Sequence, residues 1–257
     1  MPLLVDTAES VRTLTLNRPE RRNALSGALL EALLGAFAAV EAEPDVRVVH
    51  LCAAGTGFCA GGDLSDAFQN ADGFLAGHLG REAFARLLLA IRRCRVPVVC
   101  SVQGDAMGGG FGLAAACDLV VIDPAARLGT PEIDRGLFPW IILAVLSQDI
   151  PRKPLFELVF TGGRWDAETA HAMHAVNRIS APGAAIAEGR ALALQLAGKP
   201  AAIVALAKRA FHRADELGFE DALAYLAPHL SLNLLAEDAA EGLQAFLQKR
   251  PPVWKGR

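Results

Sequence analysis

The sequence predicts an α/β fold: short buried strands alternating with amphipathic helices, then a C-terminal region built of helices alone. Three observations carry that expectation. Strand-length apolar runs such as "VRVVHLCA" and "VPVVCSVQG" alternate with helix-length segments. Glycine-containing loops twice join such a run to a helix start. From about Pro182 onward no strand-like run remains, and breakers at Gly198-Lys199-Pro200, Gly218 and Pro228 separate successive helices.

Taken in order, "VRTLTLN" alternates as a strand and ends at the turn Asn17-Arg18-Pro19. Ser26 is placed to N-cap the helix "SGALLEALLGAFAAVEAE", which Pro44 stops. After the strand "VRVVHLCA" comes a loop, then the helix "GREAFARLLLAIRRC" and the strand "VPVVCSVQG". "FGLAAACDLVVI" reads as a helix running into a strand, "RLGTPEI" as a strand entering a turn, and "FPWIILAVLSQDI" as an apolar helix. The tail helix ends before Pro251-Pro252. Residues 70–80, "NADGFLAGHLG", are expected to form a mobile loop. The division is a core over residues 1–195 and a helical region over 196–257.

Composition excludes several classes. A chain of 257 residues with 53% apolar content can bury a sizeable core, yet its apolar runs are too short to span a membrane. The start, "MPLLVDTAESVRTL", lacks a basic segment followed by an apolar one, so a soluble cytoplasmic protein is expected. A net charge of −3 without a basic stripe argues against nucleic acid. The five cysteines show no C-x-x-C pairing and read as buried thiols in a reducing compartment.

The two glycine corners, "VVHLCAAGTGFCAGGDL" and "VVCSVQGDAMGGGFGL", are the chemical signal. Glycine lets a ligand come within hydrogen-bonding range of main-chain N–H groups, and a helix start leaves such groups unpaired. Neither corner matches G-x-x-x-x-G-K-[ST] or G-x-G-x-x-G, and neither loop holds a basic side chain. Two N–H groups without a cation suit one oxyanion developing during a reaction; tight packing at sheet corners is the alternative. Glu132, directly after Pro131 and outside any amphipathic pattern, is the candidate carboxylate, a solvated turn residue being its alternative.

Together, "LNRPERRNALS", "FCAGGDL", "GDAMGGGFGLAAACDLVV", "LGTPEI", "FTGGRWDAETA" and "FLQKRPPVWKG", in this order from residue 16 to the end, resemble the crotonase superfamily, the enoyl-CoA hydratase/isomerase family. The resemblance implies a spiral of repeated ββα units and a C-terminal helical oligomerisation region building trimers, commonly paired as a dimer of trimers. It implies acyl-CoA thioester substrates, with no cofactor beyond the coenzyme A of the substrate itself. It places the oxyanion donors at the N–H groups of Ala60 and Gly109, with Gly61, Gly62 and Asp63 beside them in the binding loop. Arg22 becomes a candidate phosphate contact, Ala24 a backbone contact, and Lys249 a residue reaching the nucleotide end across a subunit boundary.

One departure matters. Two-glutamate hydratases carry one carboxylate two residues after the glycine triplet and the other in the "PEI" segment. Here the first position is Gly112, and only Glu132 remains. One carboxylate suffices to shuttle a proton between C2 and C4 of an enoyl thioester, so hydration and isomerisation both stay open, as does an acyl-CoA-binding oligomer without turnover. Asp134 is an unassigned candidate helper, and Phe138-Pro139-Trp140 a candidate lining of the acyl pocket. Glu168, His171 and His174 fall at three-residue intervals, but the helix is expected to turn before His174, leaving no metal site. Cys59 reads as packing, since no histidine motif accompanies it. His50, His78, His212 and His229 have no patterned partners and read as structural.

Overall fold

The computed structural model describes residues 1–63 and 73–256. A six-stranded sheet at its centre runs in the order β1 (Leu3–Ala8), β2 (Val11–Leu16), β3 (Val48–Ala53), β4 (Val98–Val102), β6 (Leu119–Ile122) and β9 (Arg178–Ile179). Strands β1 and β2 form an antiparallel hairpin turned by Glu9 and Ser10, both at positive φ (55° and 62°). That geometry matches the right-handed twist of the flanking strands. Every later pair is parallel, so each step across the sheet needs a crossover, and the crossovers supply the helical layer.

The first three crossovers carry α1 (Gly27–Ala42), α2 (Gly73–Arg93) and α3 (Gly109–Ala115), and the fourth, from β6 to β9, is the long connection over residues 123–177. Ser26 caps α1 by accepting from the Leu29 N–H, and Leu29, Leu30, Leu33, Ala36, Phe37 and Val40 form its buried stripe. The expected loop at 70–80 needs correction: residues 70–72 lie outside the described residues, but from Gly73 the chain is helical. Gly80 does not stop α2, because an interior glycine costs only about 1 kcal/mol once a long helix is propagating.

Strand alternation splits the core. Val49 and Val98 face the main cluster beneath α1 and α2, while their neighbours Val48 and Val99 face α7 (Ala185–Ala197) through Leu192, Ala193 and Ala197. The expected division at 195/196 falls within α7, which continues to Ala197. His50 lies in this layer, its Nε2 2.7 Å from Ser101 Oγ, and burial pushes its pKa down to about 4, so it packs as a neutral ring. The five cysteines are buried and unpaired.

A second, three-stranded sheet joins β5 (Ala106–Met107), β7 (Arg127–Gly129) and β8 (Arg164–Asp166). Its parallel β5–β7 pairing sets Met107 against Gly129, and the Gly108 N–H donates to the Gly129 carbonyl at 2.8 Å. The segment after β7 is thereby fixed beside the glycine triplet. Helices α4 (Trp140–Asp149), α5 (Arg152–Thr161) and α6 (Ala167–Ala172) follow.

The C-terminal region comprises α8 (Ala201–Ala214), α9 (Phe219–Leu234) and α10 (Glu237–Leu247). Pro228, expected as a breaker, lies inside α9. A proline forfeits one N–H bond and disturbs one carbonyl, and this sixteen-residue helix runs on through that loss. Lys208 anchors α8 to the core: its ammonium donates to the Ile91 and Val96 carbonyls and pairs with Asp118 at 2.7 Å. Burial alone would raise the Asp118 pKa, but the His212 hydrogen bond and the Lys208 charge outweigh it and hold the carboxylate below its usual range. Among the described residues no single helix is long and apolar enough to cross a membrane.

Lys208→Met should therefore destabilise the chain by about 3 kcal/mol, measured by urea unfolding at pH 7, because it strands Asp118 and two carbonyls. Since the folded Asp118 pKa is lowered, that difference should be full above the unfolded carboxylate pKa and shrink as pH falls through the folded value.

Candidate functional site

Three loops meet at the carboxyl ends of β2, β3 and β4. The first, residues 18–25, is held by Asn23, which is fully buried and has φ 54°. Its amide nitrogen donates to the Ala54 and Gly57 carbonyls at 2.9 and 3.1 Å, while its oxygen accepts from the Arg18 N–H at 2.8 Å. The second and third loops are the glycine corners. They lock together where the Phe58 and Cys59 N–H groups donate to the Asp105 carbonyl and the Met107 N–H donates to the Cys59 carbonyl at 2.9 Å.

The lock demands close approach. Gly61 has φ +92°, and a Cβ there would lie 2.8 Å from the Met107 carbonyl oxygen and 3.2 Å from the Gly109 nitrogen. Leu25 bridges to the same corner: its N–H donates to the Gly61 carbonyl, and its carbonyl accepts from the Asp63 N–H. In such a parallel bridge the flanking residues 61 and 63 make both bonds, so the Gly62 N–H faces the other way. Among the described residues it has no acceptor, and neither has the Gly109 N–H at the start of α3. A Cβ on Gly109 would lie 3.6 Å from the Gly62 nitrogen, so the two unpaired donors are neighbours.

This corrects the sequence assignment. Ala60 cannot supply the first donor, because its N–H already donates to the Arg22 carbonyl at 3.0 Å. The donor left over is at Gly62. No local signal marks it, since which N–H stays unpaired depends on the distant pairing with Leu25.

Both donors open on a cavity of about 550 Å³, which Arg22, Ala24, Ala60, Gly61, Gly62, Asp63, Gly109 and Glu132 all line. Ala24 offers no free main-chain group: its N–H donates to Arg21, and its carbonyl accepts from Ser26 and Arg18. The Asp63 carboxylate is paired with Arg18 at 3.0 Å, so it ties the first two loops together. Lys249 does not line the cavity of its own chain. A larger cavity of about 930 Å³ between α2, α4 and α8 contains neither glycine corner nor Glu132.

Glu132 faces the donors from the segment after β7. Its carboxyl lies against Gly108, where a Cβ would be 2.5 Å from Oε1 and where φ is +52°. Glu132 Oε2 is buried without a hydrogen-bond partner. Burial raises the Glu132 pKa above its usual value, opposed by its own backbone N–H and by the Arg135 charge. A half-buried carboxyl with one unpartnered oxygen is suited to taking up and returning a proton at an atom in the cavity.

Gly112 is more than a missing carboxylate. It is buried in α3, and a Cβ there would lie 2.1 Å from Ile142 Cγ2, so α4 fills the space with an apolar methyl group. The remaining candidates do not line this cavity. The Asp134 carboxyl sits against Gly162, where a Cβ would be 2.9 Å from both its oxygens, and it does not line the cavity. Phe138 packs on Trp140 and Phe160 at 4.7 and 5.2 Å between ring centres. Cys59 donates to the Asn23 carbonyl, and burial pushes its pKa up to about 12, which makes it inert. His174 lies beyond α6 at φ 62°, and among the described residues no cluster could hold a metal ion. Two cavity residues that the sequence did not single out are Arg135 and Arg164.

Residues 6–257 match the model of the family described as Enoyl-CoA hydratase/isomerase. A Thermus thermophilus protein named "Putative enoyl-CoA hydratase" is 37% identical over 249 residues, spanning 94% of this chain and 96% of the relative. The mitochondrial enoyl-CoA hydratase domain-containing protein 3 of Xenopus laevis is 31% identical, spanning 98% of this chain and 86% of its own. A crystal structure of an enoyl-CoA hydratase from Mycobacterium smegmatis superposes with a TM-score of 0.95 at 38% identity, covering 99% of both chains. The motifs in order, the two interlocked glycine corners and a match over nearly the whole length lead to one conclusion: the chain belongs to the enoyl-CoA hydratase/isomerase family of the crotonase superfamily.

Proposed function

We propose that this family member handles the proton of an enoyl-CoA thioester with a single carboxylate, and that its preferred reaction is movement of a double bond between C3 and C2. The observation that carries the reading is Gly112 with Ile142 seated on it, opposite Glu132. The N–H groups of Gly62 and Gly109 hold the thioester oxygen. The Glu132 carboxylate removes a proton from C2 of a 3-enoyl thioester, negative charge passes onto that oxygen, and the two donors stabilise the resulting dienolate. Glu132 then returns the proton at C4, leaving the 2-enoyl thioester and a regenerated carboxylate.

Hydration is the second reading, favoured by the names of the relatives. It needs a group to activate water as well as one to supply the α-proton, and the wall around Ile142 supplies none. Arg21 and Arg22, both exposed on the first loop at the cavity, suit the phosphates of the coenzyme. The exposed apolar residues of α9 and α10, among them Phe219, Leu230, Leu234 and Phe246, support burial against further copies, as a trimer or a dimer of trimers. In such an assembly Lys249 of one chain would serve the nucleotide end of its neighbour's substrate.

Purified protein given trans-3-hexenoyl-CoA should form the 2-enoyl product, with slower hydration of crotonyl-CoA. Glu132→Gln should lower isomerisation by about 10²-fold or more; unchanged turnover would remove Glu132 from the mechanism.

The pH profile of kcat/KM should rise with an acid limb above the ordinary glutamate pKa. Burial raises the Glu132 pKa, and its base form is populated only as pH climbs through that value.

Gly112→Glu alone should misfit, since its Cβ meets Ile142. Gly112→Glu with Ile142→Gly should raise crotonyl-CoA hydration by about 10²-fold over Gly112→Glu, read as the loss of enoyl absorbance.

A further inference from the structure

Four guanidinium groups ring the cavity, and they fall into two pairs. Arg21 and Arg22 stand on the first loop. Arg135 and Arg164 stand on the other side, with Glu132. Arg135 follows Glu132 by three residues, and Arg164 lies on β8, paired across the small sheet to Gly129 of β7. Arg135 gives one N–H to the Pro131 carbonyl at 3.1 Å and keeps the rest of its fork free for a ligand. Among the described residues the Arg164 guanidinium has no hydrogen bond or ion pair. Among the described residues no acid on the cavity pairs with either of them: Glu20 stands on the first loop beside Arg21, Asp63 is taken by Arg18, and Asp105 accepts from the Arg127 N–H. Asp134, next to Arg135 in the chain, holds its carboxyl against Gly162 and does not line the cavity, and burial disfavours the charged form of Glu132.

A coenzyme A thioester carries its phosphates at the nucleotide end, a full pantetheine arm away from the thioester. With the thioester oxygen on the Gly62 and Gly109 N–H groups, those phosphates lie far from the reacting carbons. Arg135 stands beside Glu132, the group that meets those carbons: its backbone N–H donates to the Glu132 carbonyl at 2.9 Å, and both residues line the cavity. Its counter-ion therefore belongs to the acyl half of the substrate. A purely apolar acyl chain would desolvate the two guanidiniums and give them no partner in return.

We propose that the acyl group carries a carboxylate of its own, bound by Arg135 with Arg164, so that the substrates are coenzyme A monothioesters of short dicarboxylic acids. The proposal rests on the reading above that Gly62 and Gly109 hold the thioester oxygen. The planar fork of arginine suits a carboxylate in a two-point grip, and it makes the neutral acyl chain of equal length the poorer ligand.

The test is equilibrium binding by titration calorimetry, with unreactive saturated ligands in matched pairs: succinyl- against butyryl-CoA, glutaryl- against valeryl-CoA, and adipyl- against hexanoyl-CoA. At least one dicarboxylic member should bind about tenfold tighter than its neutral counterpart. Arg135→Leu should abolish that preference, Arg164→Leu should reduce it, and Arg135→Lys should restore part of it. The neutral ligands and free coenzyme A should bind all variants as they bind the parent chain. Equal binding within all three pairs would overturn the proposal. So would a variant that weakens free coenzyme A, neutral and charged ligands alike, because the guanidinium would then serve the phosphates or the fold. Isomerisation of trans-3-hexenoyl-CoA, run in parallel, keeps the two readings separate. A retained dicarboxylic preference with no turnover of either trans-3-hexenoyl-CoA or its dicarboxylic counterpart, the coenzyme A monothioester of trans-3-hexenedioic acid, overturns the isomerase reading alone, and turnover without the preference overturns this one alone.

Discussion

The site depends on the contact between the two glycine corners. The Met107 N–H and the Cys59 carbonyl join them, and Asp105 reaches back to Phe58 and Cys59. These bonds hold the ends of two parallel crossovers at backbone-to-backbone distance, which side chains at Gly61 or Gly110 would prevent: a Cβ at Gly110 would lie 2.2 Å from the Cys59 carbonyl oxygen. With the corners locked, the neighbouring N–H groups of Gly62 and Gly109 have no acceptor among the described residues. Two unpaired N–H groups fixed by surrounding bonds need no reorganisation when charge develops beside them, which is the physical basis of oxyanion stabilisation.

Electrostatics around that lock are asymmetric. On one side Arg18 and Asp63 neutralise each other and brace the loops. On the other, Glu132 has an oxygen without a partner, pressed against Gly108 and raised in pKa by burial. The small sheet places it there, because β5–β7 pairing brings the residues after β7 to the glycine triplet. The wall formed by Gly112 and Ile142 is apolar and brings no second carboxylate to Glu132.

Much of the fold was legible along the chain. Period-2 and period-3.6 patterns located β2, β3, β4, α1 and α4, and Ser26 and Pro44 marked where α1 begins and stops. Weak local signals were misleading where long-range context overrode them. Gly80 and Pro228 resemble breakers yet lie inside α2 and α9, because a propagating helix tolerates one unfavourable residue. The two-residue strands β5 and β9 carry no period of their own and exist only through their pairing partners.

The sequence by itself determined the α/β class, the order of the family motifs, the two glycine corners, the carboxylate at Glu132 and its absence at Gly112. Those properties are written in residue types and short spacings. Tertiary structure alone decided that the first free donor is Gly62 rather than Ala60, that Ile142 occupies the space beyond Gly112, and that Arg135 and Arg164 share the cavity with Glu132. Each of those facts is a relation between residues distant in sequence. A hydrogen bond from Ala60 to Arg22, or a methyl group against a glycine thirty positions earlier, exists only after the chain has closed on itself.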